Sequence, residues 1–311
     1  MPKNRMPRAG RAAAALLAAL LACGLGGCAP ASDREGSTGE APLVLTTFTV
    51  LADIARAVAG DHLRVESITK VGAEVHGYEP TPGDIRRATE AALVLDNGLG
   101  LEGWFEKFLA ATDAPRVVVS SGVTPIPLAG TDDVPNPHAW MSTTNGAAYV
   151  DAIVAAFSEV LPAEAAAFAD NGAAYQAELA TIHDELVTAV AALPPAHRTL
   201  VTCEGAFSYL ARDAGLSEVY LWPVNAEQQA TPQQVAAAIT AVDEHDVPAV
   251  FCESTVSDRA MQQVVAATGA AFGGTLYVDS LSDAGGPVPS YLELLRYDTQ
   301  LIVAGLSGGT Q

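Results

Sequence analysis

Short apolar runs alternating with helical segments constrain this chain more than any other feature. Runs rich in Val, Leu and Thr fall at 43–49, 63–69, 92–96 and 116–120, with helix-like segments at 50–59, 82–90 and 101–110 between them. The second half repeats the pattern, with runs at 198–203, 218–222, 249–252 and 274–278 and helices at 206–214, 232–245, 258–268 and 289–306. A strand that is apolar along its whole length needs cover on both faces, and a helix between consecutive strands brings them into parallel pairing. The predicted fold class is α/β, built as two doubly wound lobes with parallel sheets. Thr81-Pro82-Gly83-Asp84 and Thr231-Pro232-Gln233-Gln234 mark helix starts, each with a capping Thr and Pro at the first helical position.

Between the halves, residues 162–193 form one long helical segment, closed by Pro194-Pro195. Phe168, Tyr175, Leu179, Ile182, Leu186, Val190 and Leu193 fall on a single stripe. At about 1.5 Å per residue such a helix reaches roughly 45 Å, long enough to join two lobes along a common side. It is Ala-rich where a flexible hinge would be Gly- or Ser-rich, so it reads as a rigid connector; a long surface helix within one domain is the alternative. The expected organisation is an N-terminal lobe at 43–161, a linking helix at 162–195 and a C-terminal lobe at 196–311, which suits a length of 311 residues.

Residues 1–27 carry Lys3, Arg5, Arg8 and Arg11, no acid, and an apolar run at 12–25 too short for a comfortable membrane span. This is the pattern of a secretory signal. Its end, Leu25-Gly26-Gly27-Cys28, resembles the lipobox of bacterial lipoproteins and implies cleavage before Cys28 and lipidation of its thiol. Residues 28–42 then read as a flexible tether, and the protein is expected to sit lipid-anchored on the extracytoplasmic face of the cell membrane. Loss of the leader's four positive charges takes the net charge from -20 to -24. That acidity argues against nucleic acid, whose phosphates need a basic surface.

HExxH, CxxC, GxSxG, GxGxxG and GxxxxGK[ST] motifs do not occur in a suitable context, which weakens an enzymatic reading. His62, His183, His197 and His245 lie in polar surroundings and are expected at the surface. His76 and His138 differ, because each follows a predicted strand of the first half, and Glu204 and Asp279 occupy the same kind of position in the second. Ligands of open α/β sheets bind where such loops converge. Two imidazoles and two carboxylates, one pair from each lobe, suit a divalent cation in the cleft between lobes. Four residues spread over some 200 positions are not a local motif, so spacing alone leaves the assignment open.

The blocks His76-Gly77-Tyr78-Glu79-Pro80-Thr81-Pro82, Asn97-Gly98-Leu99-Gly100-Leu101-Glu102-Gly103-Trp104, Pro137-His138-Ala139-Trp140, Glu204-Gly205-Ala206-Phe207 and Asp279-Ser280-Leu281 resemble the metal-binding solute-binding lipoproteins of manganese, zinc and iron ABC importers (solute-binding protein family 9). The resemblance runs in order along nearly the whole mature chain. It implies two α/β lobes on a rigid helix, one metal held by His76, His138, Glu204 and Asp279, no enzymatic activity, and delivery of the metal to a permease and its ATPase by a monomer. Two departures matter. Asn136 stands where the family often has Asp, next to a ligand, and the connection between the first two ligands contains Asp132 and Asp133 but no His run. Two nitrogen and two carboxylate donors favour manganese, with ferrous iron and zinc as alternatives. The rivals from other classes are an exported metal-dependent hydrolase, which would keep an open position on the metal, and an adhesin-like surface lipoprotein.

Cys203 and Cys252 each end a predicted strand and each precede a glutamate. If their strands are neighbours in a doubly wound sheet, about 4.8 Å apart, a disulfide can join them; two buried thiols are the alternative. Tyr78, Glu79, Glu253 and Arg259 are candidates for steadying the site, or for ordinary caps and surface pairs.

Overall fold

The first apolar run is paired on both sides. β1 (Leu43–Thr46) lies between β2 (Arg64–Ser67) and β3 (Leu93–Asp96), and β4 (Arg116–Val118) extends the far edge, giving an all-parallel sheet in the order β2-β1-β3-β4. Every residue of β1 and β3 is buried, as strands covered on both faces require. The computed structural model describes Met1, residues 40–105, Phe108 and residues 113–129, 131–224 and 230–308. The expected leader, the lipidation site Cys28 and nearly all of the tether lie outside the described residues.

The second half repeats the plan. β5 (Thr199–Glu204) pairs in parallel with β6 (Ser217–Trp222), and β7 (Ala249–Glu253) with β8 (Ala271–Leu276). β5 and β7 run side by side, where Cys203 and Cys252, with Cα atoms 4.9 Å apart, form a disulfide. In both halves the strand order reverses at the centre, between β1 and β3 and between β5 and β7, and that reversal opens a crevice at the carboxyl ends of the strands.

The helices are α1 (Thr49–Ala59), α2 (Pro82–Glu90), α3 (Thr143–Val160), α4 (Ala165–Ala192), α5 (Ser208–Ala214), α6 (Pro232–Glu244), α7 (Arg259–Thr268) and α8 (Tyr291–Leu306). Both expected Thr caps form, and each is a reciprocal capping box: Thr81 with Asp84, and Thr231 with Gln234. From 101 to 110, Leu101 to Trp104 make turns, Phe105 and Phe108 are helical, and the remaining residues lie outside the described ones. The last strand begins three residues before its expected start and ends at Leu276, because Tyr277 gives its N–H to Asp298 Oδ1 at 3.0 Å. α3 has no counterpart among the sequence-based expectations, although Tyr149, Val150, Ile153, Ala156 and Phe157 are spaced as a helix face and Ser142 caps it through the Asn145 N–H.

α4 has 28 residues and spans about 42 Å. Its buried stripe is the expected one, Phe168, Tyr175, Leu179, Ile182, Leu186 and Val190, with Gly172 among them. α3 approaches closely at Gly172, since a Cβ there would lie 2.6 Å from Val154 Cγ2 and 3.2 Å from Val150 Cγ1. Gly172→Ala should therefore destabilise the protein by about 1–3 kcal/mol through overpacking, outweighing the helix-propensity gain of just under about 1 kcal/mol. Urea unfolding checks this, and a stabilised variant would contradict it.

Residues 41 onward pack as one compact unit. One apolar core runs through it from Val44 in β1 to Leu306 in α8. No helix among the described residues is long and apolar enough to cross a membrane.

Candidate metal centre

The four expected ligands meet. His76 follows β2, His138 follows β4, Glu204 is the last residue of β5 and Asp279 lies three residues beyond β8, and one donor atom from each falls within 4.8 Å of the others. His76 Nε2 and His138 Nε2 are 3.1 Å apart, each is 3.4 Å from Glu204 Oε1, and Asp279 Oδ1 is 3.9 Å from His138 Nε2. Donors placed around one ion at about 2.1 Å, tetrahedrally, would stand about 3.4 Å apart. The cluster therefore has the dimensions of a single-ion site. The donor set itself asks for a cation: His138, Glu204 and Asp279 are 0%, 0% and 1% exposed, and Asp279 Oδ1 has no hydrogen-bond partner among the described residues.

The backbone around His138 is bolted to the second half. Asn136 Nδ2 donates to the Gly205 carbonyl next to Glu204, and Trp140 Nε1 donates to the Val278 carbonyl next to Asp279, at 2.6 and 3.1 Å. Three of the candidate ligands thus share one buried frame. His76 comes from a separate loop held by Gly72 N–H to Ser280 Oγ at 2.6 Å and by Trp104 Nε1 to Val75 O at 2.8 Å.

Around the ligands stand further acids. Glu253, the last residue of β7, is fully buried and accepts the Glu204 N–H through Oε2 at 3.1 Å. Burial, followed by the charge of Glu204, pushes the Glu253 carboxyl well above the ordinary range. Burial does the same to Asp279, with Glu204, Glu74 and Glu253 adding repulsion. Glu74, whose carboxylate accepts the His76 N–H at 2.9 Å, is raised by burial as well. His76 moves the other way, to about 4, through burial and then the neighbouring His138, against the pull of Glu204.

These shifts set a pH dependence. A cation must displace the proton that Asp279 holds beyond the ordinary carboxylate range, so binding weakens as pH falls. Without metal Asp279 and Glu253 favour the folded state at low pH and lose that contribution as pH rises. His76 opposes them below about pH 6.5, because the unfolded ring takes a proton that the folded ring, at about 4, refuses. Melting curves with and without manganese should therefore converge as pH is lowered from 8 towards about 5.5. A metal-induced increment that grows on acidification would contradict this.

Of the remaining candidates, Tyr78 donates to Asp84 Oδ2 at 2.9 Å, and Glu79 and Arg259 are exposed. Only His245 among the other histidines is exposed. His62, His183 and His197 are half-buried and partnered by Glu164, Thr143 and the Leu306 carbonyl. His62 keeps its expected surface position, with a side chain 37% exposed, while His183 and His197 are more withdrawn than expected. Burial and these partnerships depend on packing that polar local sequence does not reveal.

The chain is 47% identical over 278 residues to the iron-binding protein YfeA of Yersinia pestis, covering 88% of this chain and 89% of the relative. It is 31% identical over 282 residues to the manganese-binding lipoprotein MntA of Halalkalibacterium halodurans, covering 90% and 94%. A Mn-bound periplasmic metal-binding protein from Candidatus Liberibacter asiaticus shares the fold at a TM-score of 0.81 and 36% identity, over 85% of this chain and 99% of the other. Fold and relatives define a metal-binding solute-binding protein of an ABC importer, a class that works with a permease and an ATPase and carries its substrate without transforming it. The chain belongs to the family described as zinc-uptake complex component A, periplasmic (ZnuA), which it matches over residues 44–305.

Proposed function

We propose that this chain captures one divalent transition metal outside the cytoplasm, manganese ahead of iron and zinc, and hands it to its permease. The observation that carries this reading is the buried cluster of two imidazole nitrogens and two carboxylates within 4.8 Å. Oxygen donors in half of the positions suit a harder ion than zinc, and relatives named manganese-binding and iron-binding support a harder ion without ranking the two. The ligands are His76, His138, Glu204 and Asp279, and the metal is cargo. Residues 43–161 and 196–311 act as lobes on a rigid connector, 162–195, that keeps opening small. The mature chain is a monomer held at the extracytoplasmic face of the membrane by lipid on Cys28; a relative named a lipoprotein supports the anchor.

Elemental analysis of protein purified from its own host under metal-replete conditions tests the choice of ion. One manganese per chain is expected, and stoichiometric zinc with manganese excluded would overturn it. Glu204→His, which replaces a hard oxygen by imidazole, should shift competition between manganese and zinc towards zinc. An unchanged ratio would show that this position does not set preference.

A further inference from the structure

The geometry points to Asn136 as the positioning residue of the metal centre: it selects the tautomer of His138 and ties that ligand to the strand end carrying Glu204. The inference rests on the metal-binding reading above. Asn136 is 1% exposed, and its side chain is fully employed. Oδ1 lies 3.0 Å from the His138 N–H and 2.9 Å from His138 Nδ1, while Nδ2 donates to the Gly205 carbonyl at 2.6 Å and to Ser208 Oγ at 3.1 Å.

Gly205 O can only accept, so the amide nitrogen must face it, and the amide orientation is determined. Oδ1 then faces His138 and can only accept, so Nδ1 must carry the ring proton. The consequence is that Nε2, the atom 3.1 Å from His76 Nε2 and 3.4 Å from Glu204 Oε1, presents its lone pair to the cluster. The backbone is fixed as well, since Tyr209 Oη donates to the Asn136 carbonyl at 2.7 Å and accepts the Ile126 N–H at 3.1 Å.

An aspartate here would also accept from Nδ1. It would have no hydrogen to offer Gly205 O, and its second oxygen would face that carbonyl. The amide is therefore the side chain that serves both halves at once: it accepts from one ligand and donates to the backbone beside another.

The test reads the tautomer directly in metal-free, 15N-histidine-labelled protein at about pH 8.5, two units above the ordinary imidazole value. In the wild type, His138 should show a protonated Nδ1 and a bare Nε2. Asn136→Ala should mix the two tautomers and weaken manganese binding about 10–100-fold. Asn136→Asp keeps the shape and the acceptor, so the Nδ1–H form should persist with its proton resonance moved downfield by the charged partner. A wild-type tautomer and affinity in Asn136→Ala, or an unmoved resonance in Asn136→Asp, would overturn the assignment. Wild-type protein that binds none of manganese, ferrous iron and zinc, yet whose tautomer shifts in Asn136→Ala, would remove the metal-binding reading and leave the role of Asn136 supported.

Discussion

Glu204→Gln is expected to lower manganese affinity by about two to three orders of magnitude while raising the melting temperature of the metal-free protein. Glu204 Oε1 lies 3.4 Å from both imidazole nitrogens, and the side chain is wholly buried. Removing one charge of a buried, paired set typically costs about 3–5 kcal/mol, and each 1.4 kcal/mol is tenfold in a dissociation constant. Without the cation the balance reverses. Glu204, Glu253 and Asp279 then crowd one buried enclosure, where Glu204 raises the cost of ionising both of the others, and Gln offers a neutral donor of the same shape. Opposite signs on binding and on metal-free stability mark a residue kept for its ligand, and calorimetric titration with thermal melting reads both. Unchanged affinity would remove Glu204 from the ligand set, and a lower metal-free melting temperature would make its role structural.

The four clustered side chains were legible because the topology was. Alternating apolar runs implied parallel strands, parallel strands place their loops at one end, and His76, His138, Glu204 and Asp279 all stand at such ends. Acids packed behind the ligands were much less visible. Glu253 is announced only by the repeated Cys-Glu at the ends of two strands, and nothing in the spacing of Glu74 or Glu218 says that either is withdrawn from water. Glu102 shows the same limit. It lies in a quoted block, yet its purpose appears only when Gly98, Leu99 and Gly100 take left-handed conformations, with φ of 77°, 56° and 82°. The turn folds its carboxylate back onto the Thr47 hydroxyl and the Asn97 and Gly98 N–H groups. Asn97 in turn donates to the Pro137 carbonyl beside His138, at 2.9 Å. Such a chain of contacts belongs to three dimensions, whereas apolar periodicity belongs to one. α3 was a different kind of miss, since its periodicity was present and only its polar first turn, Thr143-Thr144-Asn145-Gly146, disguised it.

The disulfide gives the second large expected effect. Cys203→Ala/Cys252→Ala should lose about 4 kcal/mol of stability, because the bridge closes a loop with a sequence separation of 49 and so restricts the unfolded chain. For a unit of this size that is a fall of about 10 °C in melting temperature. Its position adds a second consequence. The bridge sits where β5 and β7 adjoin, and the next residue on each strand is Glu204 on one side and Glu253, which accepts the Glu204 N–H, on the other. The covalent link therefore sets the spacing of a ligand and its support. Reduction should weaken manganese binding as well as stability, although the buried sulfurs will react slowly with a thiol reagent. Equal manganese affinity with and without the bridge, in protein still folded at the assay temperature, would confine the disulfide to stability and leave the hydrogen bonds of Glu253 and Asn136 as the determinants of site geometry. A joint loss would mean that an oxidising compartment is required for metal capture itself, and not only for a durable fold.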